Sequence, residues 1–265
     1  MADDLSSAQT VPGSPQTSPV TWRQLVAAPI VGLVLGGVAV VLLAVAWMIV
    51  FMGRTGGANV QSAAAGLSGN FFMNIAIVAA LYLPLILTLW IAMKKLAPPP
   101  GVRFFSELKP VTMLLALGTG VLAAGACILI EELLNRYLGI SFEMTPAEQS
   151  FYPTTAAQLA GAVVVMGFIG PLAEEMYFRG FLLQWLRQHL GTGAAIVLSA
   201  VAFAVVHLFM LLHPGASGWV TTGEIFVVGI LMALWVTRTG SLWSSYALHI
   251  GYNCVVVMQT FLFPS

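Results

Sequence analysis

Long runs of uncharged, apolar residues dominate this chain and leave it few ways to fold. Seven such runs are each close to or above the roughly 20 residues that a helix needs to cross the hydrocarbon core of a bilayer. Only two of them contain a histidine and one contains a glutamate. The runs are residues 25–52, 71–93, 110–130, 151–173, 190–212, 219–237 and 241–263.

Composition agrees with a membrane protein. The 265 residues are 59% hydrophobic and only 8% charged, whereas soluble domains carry roughly 25% charged residues. A soluble monomer, a disordered chain and a nucleic-acid-binding protein are therefore excluded. Backbone groups must be paired within lipid, and no alternating pattern indicates a β-barrel. We expect an all-α, polytopic helical bundle of seven to eight membrane helices.

The chain divides into three parts by composition. Residues 1–22 are polar and predict a disordered tail. Residues 23–150 hold the first membrane helices, and residues 151–265 hold every cluster of polar groups described below, within one integral membrane domain. With the N-terminus in the cytosol, eight Lys and Arg residues lie inside and two outside, as the positive-inside rule favours. Those counted inside are Arg23, Lys94, Lys95, Arg103, Lys109, Arg179, Arg187 and Arg238; Arg54 and Arg136 are outside.

Glu174 and Glu175 form the first polar cluster. Gly170 and Pro171 are expected to end the preceding span, so that an amphipathic helix over 174–189 begins close to the two carboxylates. Arg179 follows Glu175 by four residues, which favours an ion pair on one helix face. The Glu175 carboxylate is then held by Arg179, and the Glu174 carboxylate is left free to take part in a reaction.

Two further clusters place polar side chains inside apolar runs. Phe203 and His207 are four residues apart, as are His249 and Asn253, so each pair shares a helix face. Each pair has an alternative explanation as a packing contact. His207 would be a core histidine hydrogen-bonded to a carbonyl, and His249 and Asn253 would form an interhelical polar contact. Together, one acid, two imidazoles and a carboxamide are the groups needed to activate water and stabilise an oxyanion. Glu224, near the end of its span, is expected to be an interfacial acid.

These three motifs resemble, in order and spacing, those of the CAAX protease and bacteriocin-processing family of intramembrane proteases. The resemblance covers roughly residues 155–260. It implies that Glu174 activates water, that His207 orients this water or helps to bind a metal, and that His249 and Asn253 bind the oxyanion. Arg179 and Glu175 would brace the first motif, with Phe203 in support.

The resemblance leaves the cofactor open, because the family is described both as metalloproteases and as glutamate-dependent proteases. Glu174, His207 and His249 are a conceivable zinc set, although no His-Glu-x-x-His sequence is present. The implied partners are the bilayer and a membrane-associated peptide or protein substrate, either CAAX-like or bacteriocin-related. Two alternatives stay open: a proton-coupled transporter using Glu174, Glu224 and His207, or a catalytically silent immunity or scaffold protein.

Overall fold

The structure is a computed structural model that describes residues 20–56, 59–95, 105–142, 149–207 and 216–263. Helices account for most of this part of the chain, and no strand occurs within it. Most of the predicted N-terminal tail, residues 1–19, lies outside the described residues. The first helix begins at Trp22, the last residue assigned to that tail.

The described residues form eight helices, and five of these are long and apolar enough to cross a membrane: α1, α3, α4, α5 and α7. The all-α, multi-pass architecture is therefore confirmed. The apolar helix α6 is shorter, with 15 residues, and α8 has 21. The helices are α1 (Trp22–Arg54), α2 (Val60–Ser68), α3 (Phe71–Lys95), α4 (Pro110–Leu138), α5 (Ala156–Leu190), α6 (Thr192–Val206), α7 (Ser217–Thr239) and α8 (Leu242–Leu262).

The predicted helix break at Gly170 and Pro171 is wrong, because α5 runs without interruption past both residues. Two π-helical segments, Val163–Ile169 and Met176–Leu182, flank the short α-helical stretch Gly170–Glu175. Proline interrupts a helix by removing an N–H and by crowding the carbonyl four residues earlier. The wider π turn before Pro171 accommodates it within the helix.

The position of the two glutamates changes accordingly. Glu174 and Glu175 lie in the middle of a 35-residue helix, not at the N-terminus of a new one. The helix-dipole argument for their placement is therefore wrong. Arg179, counted among the cytosolic cations, is completely buried.

Helix α5 occupies the centre of the bundle and contacts α1, α3, α6, α7 and α8. Around it α1 pairs with α3, α4 with α8, and α6 with α7. The largest apolar cluster of the core draws on α1, α3, α5, α6, α7 and α8, and includes Leu89, Met176, Phe181 and Val236. These contacts fix the middle of α5 against α3 on one side and α8 on the other.

Helices α4 and α8 approach closely through glycine. A Cβ atom on Gly251 would meet the Leu117 carbonyl oxygen, and one on Gly120 would meet the Leu248 carbonyl oxygen. The close neighbour of Gly251 is therefore the α4 backbone. This contact places the helix turn that carries His249 firmly against α4.

Candidate active site

Glu175 joins helices α5 and α8 through one carboxylate oxygen. Its Oε1 atom accepts a hydrogen bond from Arg179 Nη1 at 3.0 Å and lies 2.9 Å from His249 Nδ1. Because a carboxylate only accepts hydrogen bonds, the histidine donates its Nδ1–H. Glu175 and His249 are both buried, so this bond fixes the orientation of the imidazole ring.

Glu174 faces the other side of the same imidazole. Its Oε2 atom lies 3.7 Å from His249 Nε2, and its Oε1 atom accepts a 2.7 Å hydrogen bond from the Tyr82 hydroxyl. The Glu174 side chain is 15% exposed, against 1% for Glu175. The two adjacent carboxylates thus have different surroundings: Glu175 is enclosed by cationic and donor groups, and Glu174 is the more accessible.

Arg179 is held from three directions. Besides its ion pair with Glu175, Nη2 donates to the Gly229 carbonyl on α7 at 3.1 Å. Its guanidinium carbon lies 4.4 Å from the centroid of the Phe203 ring, a distance typical of a cation–π contact. The predicted pairing of Glu175 with Arg179 is present. Through its contacts with Phe203 and Gly229, Arg179 also links α5 to α6 and α7.

Phe203 lies between the two candidate histidines. Its ring centroid is 4.7 Å from that of His207 and 5.8 Å from that of His249. His207 caps the C-terminus of α6, and its Nδ1 atom lies 2.7 Å from the Phe203 carbonyl oxygen. The structure therefore brings the first two motifs and His249 into one aromatic and ionic cluster.

Asn253 lies one helical turn beyond His249 on α8. Its Nδ2 atom donates to the Met166 carbonyl at 2.8 Å, in the first π-helical segment of α5. This hydrogen bond therefore connects Asn253 to the backbone that precedes Glu174 and not to the carboxylates.

Glu224 is an acid of α7, and its place at the membrane interface stays a prediction. It is buried, and its Oε1 atom has no hydrogen-bond partner among the described residues. Its carboxyl group interacts with Glu131 of α4. This second acidic pair involves none of the groups that surround Glu174.

Tyr82 is a site residue that sequence analysis missed. It comes from α3, in the part of the chain that showed no motif, and reaches Glu174 across 92 residues. The one sequence feature that could have indicated a role for Tyr82 is its position. Tyrosines are enriched at the membrane interface, but Tyr82 lies near the middle of an apolar run. A membrane-embedded hydroxyl needs a partner, but the sequence does not say which.

The proposed zinc ligands do not form a metal site in the part of the chain that the structure describes. No group of three or more His, Cys, Asp or Glu side chains is arranged there to hold a metal ion. Glu174 and His249 face each other, but Glu174, His207 and His249 are not gathered around one point among the described residues. The donor set therefore does not fit a tetrahedral zinc ion.

Comparison with known families agrees with the motifs. Residues 156–255 match the family model described as type II CAAX prenyl endopeptidase Rce1-like. This confirms the resemblance stated from the three motifs, over a segment that contains Glu174, His207, His249 and Asn253. No curated protein and no solved structure matches the chain.

Proposed function

We propose, from the premise that residues 156–255 form a domain of the type II CAAX prenyl endopeptidase Rce1-like family, that this protein is an intramembrane endopeptidase. Glu174 is the proposed base that activates water. The single observation that carries the proposal is the placement of Glu174 Oε2 opposite His249 Nε2, 3.7 Å away, while Glu175 holds the other ring nitrogen. A water molecule bound beside both atoms would meet a carboxylate and an imidazole together.

The proposed reaction is a direct hydrolysis. The water oxygen adds to the scissile carbonyl carbon as one water proton passes to Glu174. The carbon–nitrogen bond then breaks, and Glu174 returns this proton to the leaving amine nitrogen, which gives a carboxylic acid and an amine. General base catalysis of this kind contributes about 10²–10⁴-fold to a rate.

His249 is the proposed donor to the oxyanion. When it carries both ring protons, its charge and that of Arg179 balance the charges of Glu174 and Glu175, so that the buried cluster is neutral. Its Nε2–H then points to the reaction space and can donate to the tetrahedral intermediate. Asn253 is proposed to contribute through its second Nδ2 proton, and His207, beside Phe203, to orient the water.

The proposed substrate is the peptide chain of a membrane-associated protein. The name of the matched family suggests a prenylated C-terminal segment, and the apolar bundle around the site suits a lipid-linked substrate. We further propose that the N-terminus is cytosolic. The distribution of Lys and Arg in the sequence supports this: once the buried Arg179 is set aside, seven would lie inside and two outside.

The test is cleavage by the purified protein in liposomes. A farnesylated peptide that ends in a CAAX sequence is compared with the same peptide lacking the farnesyl group. We expect cleavage of the first, loss of cleavage in Glu174→Ala, and a reduced rate in His207→Ala. Equal cleavage by all three proteins would remove Glu174 and His207 from the mechanism, and no cleavage by the wild type would reject this substrate class.

A further inference from the structure

The stretch that carries Glu174 and Glu175 is bounded by irregular helix on each side. Seven residues of π-helix precede Gly170–Glu175 and seven follow it. A π segment inserts one residue into an α-helix, so it turns everything beyond it by about 100° around the axis. The first insertion therefore sets the direction of Glu174 and Glu175 relative to the helix before them, and the second sets it relative to the helix after them.

The first π segment leaves a carbonyl without a backbone donor. The Gly170 N–H bonds to the Val165 carbonyl, five residues earlier. In this register the next N–H would face the Met166 carbonyl, but residue 171 is proline and has none. Asn253 Nδ2 lies 2.8 Å from the Met166 carbonyl oxygen, so the carboxamide from α8 occupies the place of the missing N–H.

The second π segment leaves a carbonyl in the same way. The Leu183 N–H bonds to the Phe178 carbonyl, five residues back, before α-helical pairing resumes. When the next N–H pairs with the carbonyl four residues earlier, the Arg179 carbonyl is left without a backbone donor. Gln184 Nε2 donates to this oxygen at 3.0 Å, its side chain is buried, and Arg187 Nη1 donates to its Oε1 atom at 3.0 Å.

We infer that Asn253 and Gln184 are positioning residues that satisfy the carbonyls released by the two π segments and so fix the direction of Glu174 and Glu175. In a bilayer an unpaired carbonyl has no water to bond. Without the side-chain donors, each π turn would relax toward α-helix and rotate the carboxylates away from His249. The inference rests on the proposed function for its effect on catalysis, whereas the hydrogen bonds themselves affect stability directly.

The decisive experiment is a double-mutant cycle between Pro171→Ala and Asn253→Ala. Alanine at 171 supplies the N–H that the Met166 carbonyl lacks, so Asn253 should become less necessary. We expect Asn253→Ala to lower the thermal unfolding midpoint and kcat in the wild-type background. In the Pro171→Ala background we expect the loss in kcat to shrink at least fivefold, with KM unchanged.

Two results would overturn this assignment. Asn253→Ala could cause the same losses in both backgrounds, as it would if Asn253 acted only on the oxyanion. The second is failure of Asn253→Ala to fold even with Pro171→Ala, whereas folding only in that background would support the inference. The unfolding midpoints answer the question even if no substrate is cleaved, so failure of the proposed function remains distinguishable.

Gln184→Glu tests the second half independently. Glutamate keeps the size of the side chain and an oxygen for Arg187, and while it is ionised beside Arg187 it cannot donate to the Arg179 carbonyl. We expect a lower kcat at constant KM and a lower unfolding midpoint; unchanged values would overturn the role of Gln184. Asn74→Ala is the matched control, because its buried carboxamide donates to Ser68 and Ser150, away from the carboxylates. It should leave kcat unchanged and show no coupling with Pro171→Ala.

Discussion

The Nδ1 atom of His249 lies 2.9 Å from the Oε1 atom of Glu175, and this bond joins two helices across 74 residues of chain. It gives the two adjacent glutamates different surroundings. Glu175 is committed to holding His249 and Arg179, whereas Glu174 faces the remaining imidazole nitrogen. Each prediction below tests one part of this arrangement.

Arg179→Met should destabilise the protein strongly, because it leaves the buried Glu175 carboxylate without its guanidinium partner. Removal of one member of a buried ion pair costs about 3–5 kcal/mol. Thermal unfolding in detergent measures the effect, and Arg238→Met, at an exposed position on α7, is the control. The double variant Glu175→Gln/Arg179→Met should recover part of the stability but no activity. A midpoint for Arg179→Met equal to that of the control would contradict the role of the ion pair.

Tyr82→Phe should slow cleavage about tenfold, because it removes the hydroxyl that donates to Glu174 Oε1. A hydrogen bond to a charged group contributes about 1.5–3 kcal/mol. The comparison is kcat for Tyr82→Phe and for Tyr137→Phe, whose side chain is exposed at the end of α4. Equal rates for both variants would show that α3 does not contribute to the site.

Gly120→Ala should disrupt the contact between α4 and α8, because the new methyl group would meet the Leu248 carbonyl. Gly118→Ala on the same helix meets nothing within 4 Å, and alanine there should gain about 0.5–1 kcal/mol through helix propensity. Opposite changes in unfolding midpoint are therefore expected for two substitutions separated by one residue. The close contact would be disproved by equal midpoints.

Chelation should leave the rate of cleavage unchanged. The ligand set of Glu174, His207 and His249 does not converge in the described part of the chain, so no step of the proposed reaction needs a metal. The measurement is cleavage before and after dialysis against a chelator. Activity lost on dialysis and restored by Zn²⁺ would assign the activation of water to a metal.

Sequence patterns predicted the helical membrane fold and the pairing of Glu175 with Arg179, because apolar run length and i,i+4 spacing are local properties. They failed at Pro171, where the local rule for proline is overridden by a π turn and by Asn253 from another helix. Tyr82 was missed for a related reason. Its partner lies on another helix, and spacing along one helix carries no information about such contacts.

Glu174→Gln, compared with Glu224→Gln, tests the central claim most directly. Both substitutions replace a buried or half-buried glutamate with an amide of similar size, but of these two residues only Glu174 faces His249. Cleavage of a farnesylated peptide in liposomes should fall at least 100-fold in Glu174→Gln, the lower end of the range for a lost general base, and stay at the wild-type rate in Glu224→Gln. Retained cleavage in Glu174→Gln would contradict the account, and loss in both variants would favour a proton relay through the bundle.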